Sequence, residues 1–341
     1  MIEGISNPWE IAEADFPVAG NLTEQLCFLL NYAVLAPSRH NSQPWLFRVD
    51  EHGIEVYADR SRRLPVVDAD DRELTISCGA ALANLLIALH HFGYATSVEI
   101  HADADHPDLL ARLSHCGSIE AADEEHLLFQ AIQKRRTNRR LFEDREVPAS
   151  LISEIEDIAM REGTGVRIIR GKEARSAVTN LIARADQLLW TNQRYRQELA
   201  AWTRPDQDQR RDGVPQNALG RQELMSSLGP PLLHTLIAED EEVAHAHDMV
   251  PGSPLLVVLS TFADSWFDWL AVGQALEKIL LRACSDGIYA SFFNQPIEVA
   301  PVRNELRNFF GRGEFPQIVL RMGYGPDVPP TPRRWVREVL L

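Results

Sequence analysis

Apolar side chains at helical spacing first appear over residues 22 to 35, where Leu22, Leu26, Phe28, Leu29, Ala33 and Leu35 form one stripe. Asn21 is placed to cap this helix and Pro37 to stop it. After a short loop, Trp45–Val49 and Gly53–Tyr57 read as a hairpin of two strands, and Ile76 to Phe92 reads as a long helix apolar on almost every side. Such a helix offers no face to water and belongs in the middle of a core. Further on, residues 148 to 161 read as helix and Val166–Arg170 as strand. The segment from Pro316 to Gly323 reads as a buried strand running into an extended tail.

The central helix has a counterpart. Gly79-Ala-Ala-Leu reaches a terminal glycine at Gly93, and Gly273-Gln-Ala-Leu reaches one at Gly287 after the same interval. Helix 148 to 161 followed by strand Val166–Arg170 mirrors helix 22 to 35 followed by strand Trp45–Val49. Order and intervals agree together, which points to two related halves, residues 1 to 120 and 126 to 341, joined by the acidic stretch Glu120–Glu125. Residues 203 to 253 break the symmetry: they are rich in Asp, Gln, Pro and Gly, with a modest helical pattern near Leu232–Ala238. An insertion of that length is expected to be a lid or functional loop.

Composition narrows the function classes. At 45% hydrophobic and 24% charged, the 341 residues can build a sizeable core, with two units expected. The net charge of −15 repels polyphosphate backbones and anionic lipid headgroups, so neither nucleic acid nor a membrane surface is an expected partner. Apolar stretches such as Leu82–Leu89 and Pro254–Leu259 fall short of the roughly 18 residues that span a bilayer, and the N-terminus lacks a signal pattern. The expected compartment is therefore the cytoplasm. Cys27, Cys78, Cys116 and Cys284 lie far apart beside apolar patterns and read as buried free thiols. His245 and His247 beside Asp248 read as a solvated acidic loop, so no metal site is expected.

Four segments carry candidate chemistry. Ala36-Pro37-Ser38-Arg39-His40-Asn41-Ser42-Gln43-Pro44-Trp45 sits between a helix end and a strand. Arg135-Arg136-Thr137-Asn138-Arg139-Arg140 puts four arginines and a hydroxyl together in an acidic chain, the donor set that a phosphate monoester requires. Gly287 to Glu298 follows the second central helix, and Arg333-Arg334 stands in the tail. The first segment resembles the Pro-Ser-x-x-Asn-x-Gln-Pro-Trp loop of the nitroreductase superfamily at every fixed position. The second is similar to that superfamily's Arg-x-Ser-x-Arg flavin motif, with Thr137 in the Ser place.

The resemblance implies an α+β, nitroreductase-like fold in which two half-domains form a pseudo-dimer within one chain, as in the Acg-type subgroup, which the phrase Ile76-Ser77-Cys78-Gly79-Ala80-Ala81-Leu82 also resembles. It implies FMN as cofactor. Arg135 and Thr137 would hold its phosphate and ribityl chain, Arg139 would reach its pyrimidine edge, and Arg333 or Arg334 would add a phosphate contact. Pro37, Ser38, Arg39 and Asn41 would come from the other half, and Ala290, Ser291 and Phe292 would lie against the ring. The first half lacks the arginines and the second replaces the loop by Arg161-Glu-Gly-Thr-Gly165, so one site per monomeric chain is implied, with a homodimer as the alternative. The implied reaction is ping-pong hydride transfer from NAD(P)H through FMN to nitroaromatic or quinone-like acceptors. The alternative is an FMN-binding or sequestering protein whose flavin is covered by the insertion.

Overall fold

The computed structural model describes residues 7–100, 105–219, 253–311 and 313–341. Helix α1 (Leu22–Ala33) opens as its sequence dictates. Asn21 Oδ1 accepts the Glu24 N–H at 3.0 Å, and Glu24 Oε2 accepts the Asn21 N–H at 2.9 Å. Strands β1 (Trp45–Val49) and β2 (Gly53–Ala58) follow, then α2 (Arg72–His91), β3 (Tyr94–Ile100) and β4 (Leu109–Ser118). They form an antiparallel sheet in the order β1-β2-β4-β3.

Helix α3 (Asp123–Ile132) leads to α4 (Ala149–Arg161), β5 (Gly165–Ile168), α5 (Lys172–Thr191) and α6 (Gln193–Trp202). The short strands β6 (Thr203–Arg204) and β7 (Val214–Pro215) pair in parallel. After them come β8 (Leu255–Thr261), α7 (Trp266–Ser285), β9 (Tyr289–Phe292), α8 (Gln295–Glu298), α9 (Ala300–Phe309) and β10 (Phe315–Gly323). The second sheet runs β5-β8-β10-β9. Matching α1, β1, β2, α2, β3 and β4 with α4, β5, β8, α7, β9 and β10 gives the same strand order in both sheets. The extra chain falls between β5 and β8, where the first half has only a hairpin turn.

The two central helices cross at their matched glycines. A Cβ on Gly79 would stand 2.2 Å from the Leu270 carbonyl oxygen, and one on Gly273 would stand 2.1 Å from that of Ile76. Only hydrogen at Cα lets two helix backbones approach this closely.

Several boundaries differ from the sequence reading. Helix α2 begins a turn earlier than Ile76, because the Asp68 carboxylate accepts the Glu73 and Leu74 N–H groups at 2.9 and 2.8 Å and caps an earlier start. The stretch Glu120–Glu125 is only partly a connector: Asp123, Glu124 and Glu125 form the first turn of α3, where acids favour the helix dipole. Strand β5 ends at Ile168 instead of Arg170. Helix α2 is long and apolar enough to cross a membrane, contrary to the apolar-run estimate, but 83% of its most apolar window is buried inside the protein. Cys78 is buried and Cys27 and Cys284 are half-buried, whereas Cys116, near the exposed end of β4, is open to solvent; all four are free thiols.

The halves are interlaced. Leu128, Phe129 and Ile132 of α3 pack into the first-half core, as does Val339 of the tail. The tail also pairs with the edge of β1, Phe47 N–H donating to Val339 O at 2.7 Å and Leu341 N–H to Phe47 O at 2.9 Å. The expected helix near Leu232–Ala238 and the His245/His247 pair lie outside the described residues. Among the described residues no group of His, Cys, Asp or Glu is arranged to hold a metal ion.

Candidate functional site

The loop after α1 is held in a conformation that L-residues rarely adopt. His40, Asn41 and Gln43 have φ of 50°, 54° and 51°, each costing on the order of 1 kcal/mol or more. Side-chain bonds to distant segments keep them there. Asn41 Nδ2 donates to Gly213 O at 2.9 Å and Pro332 O at 3.0 Å, while its Oδ1 accepts from Arg333 Nη1 at 2.7 Å. Gln43 donates its N–H to Ser38 Oγ and its Nε2 to Arg211 O, and its Oε1 accepts the Arg334 N–H. Loop, insertion root and tail are thus one unit.

That unit forms part of the wall of a cavity of about 400 Å³ between the halves, inside the range of small-molecule and cofactor sites. Of the residues singled out from the sequence, Pro37, Ser38, Arg39, Asn41, Arg135, Thr137, Arg139, Ser291, Phe292 and Arg333 line it. Two do not. Ala290 turns its backbone to the arginine run, bridging Thr137 and accepting the Asn138 N–H at 2.9 Å. The Arg334 guanidinium points to Gln43 O at 3.1 Å and Asp59 Oδ2 at 3.5 Å, so Arg333 is the tail arginine that reaches the cavity.

One end of the cavity is a buried cationic cluster. Arg135 and Arg333 are each 3% exposed and both donate to the carbonyl of Leu35, at the end of the first helical segment. The Trp9 ring lies 4.1 Å from the Arg136 guanidinium and 4.9 Å from that of Arg333. Burial, and then the neighbouring Arg135, push the Arg333 pKa well below the usual arginine range. Burial and Arg135 lower Arg136 to about 10, and burial with Arg39 lowers Arg139 to about 10. Burial and the Arg39 and Arg139 charges hold His40 neutral. Burial is the larger cause of each shift, and neighbouring like charge adds to it. Glu277, fully buried, faces the cluster with its Oε1 3.4 Å from Arg135 Nε, and burial lifts its pKa to about 7 against the pull of Arg135 and Arg333. The Nε atoms of Arg135 and Arg333 are buried without a hydrogen bond. Arg135 Nε is turned to Glu277, and a dianionic phosphate monoester would satisfy the Arg333 donor and balance the remaining charge of the cluster, so the residues present fit one.

The other walls come from elements the sequence reading did not assign to the site. Glu73 and Ala80 of α2, Leu276 of α7, and Trp190, Tyr195 and Leu199 of α5 and α6 all face the cavity. Glu277 was legible as a lone acid at an apolar position of its helix. Glu73 beside Arg72 at the head of an apolar helix carried a similar signal, whereas nothing local marked Trp190 or Tyr195.

No family model matches the chain. Two proteins of Mycobacterium tuberculosis strain H37Rv are similar along most of their length. "Putative NAD(P)H nitroreductase Rv3131" is 30% identical over 319 residues, 92% of this chain and 90% of the relative. "Putative NAD(P)H nitroreductase acg" is 25% identical over 326 residues, 93% and 95% of the two chains. Among solved structures, the FMN and NADPH-dependent nitroreductase NfnB of Sphigopyxis sp. strain HMH is 21% identical with a TM-score of 0.40, over 62% of this chain and 96% of that one. With nearly full-length similarity at 30% identity added to the loop and arginine motifs that meet at one cavity, the chain belongs to the NAD(P)H nitroreductase family.

Proposed function

We propose that this chain binds one FMN in the cavity between its halves and acts as an NAD(P)H-dependent oxidoreductase on flat acceptors of the nitroaromatic or quinone type, in ping-pong fashion. The observation that carries the reading is the pair of buried arginines, Arg135 and Arg333, which line one end of a cavity walled by both halves, with the Arg333 Nε lacking a hydrogen bond. When bound, FMN supplies the two-electron chemistry. The chain's own task is to hold and shield it. Arg135, Arg333 and the Thr137 hydroxyl would anchor the phosphate, and Asn41 positions Arg333 through its Oδ1. Arg139, tied to Ala218 O at 3.1 Å, would bring a positive charge toward the ring. The positive-φ loop gives Ser38 and Arg39 a rigid base.

One observation favours the sequestering alternative. Trp190, Tyr195, Leu199, Thr203, Val214 and Ala218, all from the insertion between β5 and β8, close one side of the cavity, and a closed side limits access of a nicotinamide. Of the proposed lid over 203 to 253, residues 203–219 and Ser253 are described. Purified protein reconstituted with FMN and treated with NADPH without oxygen separates the readings. Bleaching of the flavin band is the outcome expected for an oxidoreductase; a yellow protein that stays oxidised supports sequestration. Flavin released per chain should be close to one, on a monomer by light scattering. Two per chain, or none, overturns the single inter-half site.

A further inference from the structure

Away from the phosphate-binding end, Arg39 stands between two buried carboxylates. Its Nη2 lies 2.7 Å from Glu298 Oε1, and its Nε lies 3.5 Å from Glu73 Oε2. Glu73 is 3% exposed and forms part of the cavity wall, while the Glu298 side chain has no exposure at all. Glu73 Oε1 accepts from Asn294 Nδ2 at 2.6 Å, but its Oε2 is buried without a hydrogen bond. Among the described residues, Glu298 has its ion pair with Arg39 and no hydrogen bond to either carboxylate oxygen.

The charges in this cluster do not balance. Three acids, Asp68, Glu73 and Glu298, face two cations, Arg39 and Arg72. The surroundings leave the excess in place. Glu198 and Arg139, both near Arg39, offset one another, and Arg303 is paired bidentately with Asp264 at 2.8 and 2.9 Å. Tyr195 and the neutral His40 complete the neighbourhood. Asp68 accepts two backbone N–H groups at 2.9 and 2.8 Å, which favour its charged form, although burial and Glu73 raise its pKa to about 6. Burying an unpaired negative charge costs several kcal/mol, so the remaining pair is the place for a proton. Burial, and beyond it the charge of Glu73, raises Glu298 against the pull of Arg39.

We propose that Glu73 and Glu298 share one proton beneath Arg39, and that Glu73, the member on the cavity wall, delivers it to the acceptor. The delivery step rests on the oxidoreductase reading above. A quinone that receives two electrons and one proton as hydride needs one more proton to leave as hydroquinone. The Glu73 O–H breaks as the second hydroxyl of the acceptor forms, and solvent returns a proton to the pair. A nitro group leaving as nitroso and water draws on the same single proton. With its counter-cation fixed at 3.5 Å, the carboxylate left behind is stabilised where it forms.

The test has two readouts. In cofactor-free protein at neutral pH, infrared spectroscopy should show the carbonyl stretch of a protonated, buried carboxyl that disappears in both Glu73→Gln and Glu298→Gln, since either change leaves two acids facing two arginines. In the FMN-loaded, NADPH-reduced protein, stopped-flow oxidation by a quinone should be flat at low pH and fall as pH rises through the pair. Glu73→Gln should slow that step on the order of 100-fold, the usual scale of general acid catalysis, and flatten the profile, and Glu73→Asp should restore part of the pH dependence. Oxidation by ferricyanide, which takes electrons without a proton, should slow less than threefold. If Glu73→Gln does not fold, Glu298→Gln carries the same kinetic test. Absence of the carboxyl band, or equal slowing of quinone and ferricyanide, overturns the proposal. A wild-type protein that binds FMN but is not reduced by NADPH overturns the oxidoreductase reading and the delivery step together, while the infrared result separately decides the shared proton.

Discussion

Replacing Gly79 by Ala tests whether the crossing of α2 and α7 depends on the absence of a side chain. The added methyl would meet Leu270 O at 2.2 Å and Gly273 Cα at 3.0 Å. Both obstacles are backbone, so no side-chain rotation relieves them and the helices must part. Overpacking of this kind costs about 1–3 kcal/mol, and a contact this short belongs at or above the top of that range. Alanine returns about 1 kcal/mol through helix propensity and a smaller unfolded-state entropy. The net loss is about 2 kcal/mol. With a urea slope of roughly 3 kcal/mol/M for a chain of this size, the unfolding midpoint should drop by roughly 0.7 M. Gly273→Ala meets Ile76 O at 2.1 Å and should behave alike, and the double variant should lose less than the sum, because the helices separate only once. Gly313, where an added Cβ has nothing within 4 Å, is the control and should shift stability by less than about 0.5 kcal/mol. Because Ile76, Ser77, Ala80 and Leu276 line the cavity beside the crossing, both helix variants should also bind FMN more weakly. A Gly79→Ala protein as stable as wild type would refute the close-approach argument.

Arg135→Ala should weaken FMN binding by about 1.5–3 kcal/mol, the range for hydrogen bonds to charged groups, and leave riboflavin binding nearly unchanged; fluorescence titration with both flavins decides it. Asn41→Ala removes the bond that positions Arg333 together with two anchors of the insertion and tail, so FMN should dissociate roughly tenfold faster, given about 1 kcal/mol or more per buried bond. Glu277 titrates at about 7 in the fold against a normal value of 4.5, so between these values the folded state binds more protons than the unfolded chain. Its contribution to stability therefore falls as pH rises from about 4.5 to about 7, and Glu277→Gln should remove that slope from urea midpoints measured across this window.

Local patterns fixed much of this molecule. The Asn21 cap, the apolar stripe of α1, the strands from Trp45 and Gly53 and the equal Gly-to-Gly intervals depend on interactions within a few residues, or on a period that burial imposes, and the structure has them where the chain places them. The two motifs that meet at the cavity were legible for the same reason: a short rigid loop and a clustered cation run must be written contiguously. The early start of α2 was hidden because its cap, Asp68, lies outside the helix and acts through a left-handed Asp71.

What the sequence alone determined is a repeated α+β pattern and which segments carry phosphate-binding and loop chemistry. Tertiary structure decided which side chains face one another. Arg333 and not Arg334 enters the cavity, because Arg334 is held by Gln43 and Asp59, residues nearly three hundred positions away. Glu73, Glu298 and Arg39 form one charge cluster only because the start of α2, the end of α8 and the loop after α1 converge. An acid in an apolar helix announces that it has a partner. Its identity is set by long-range packing, to which the period and spacing of a single segment are blind.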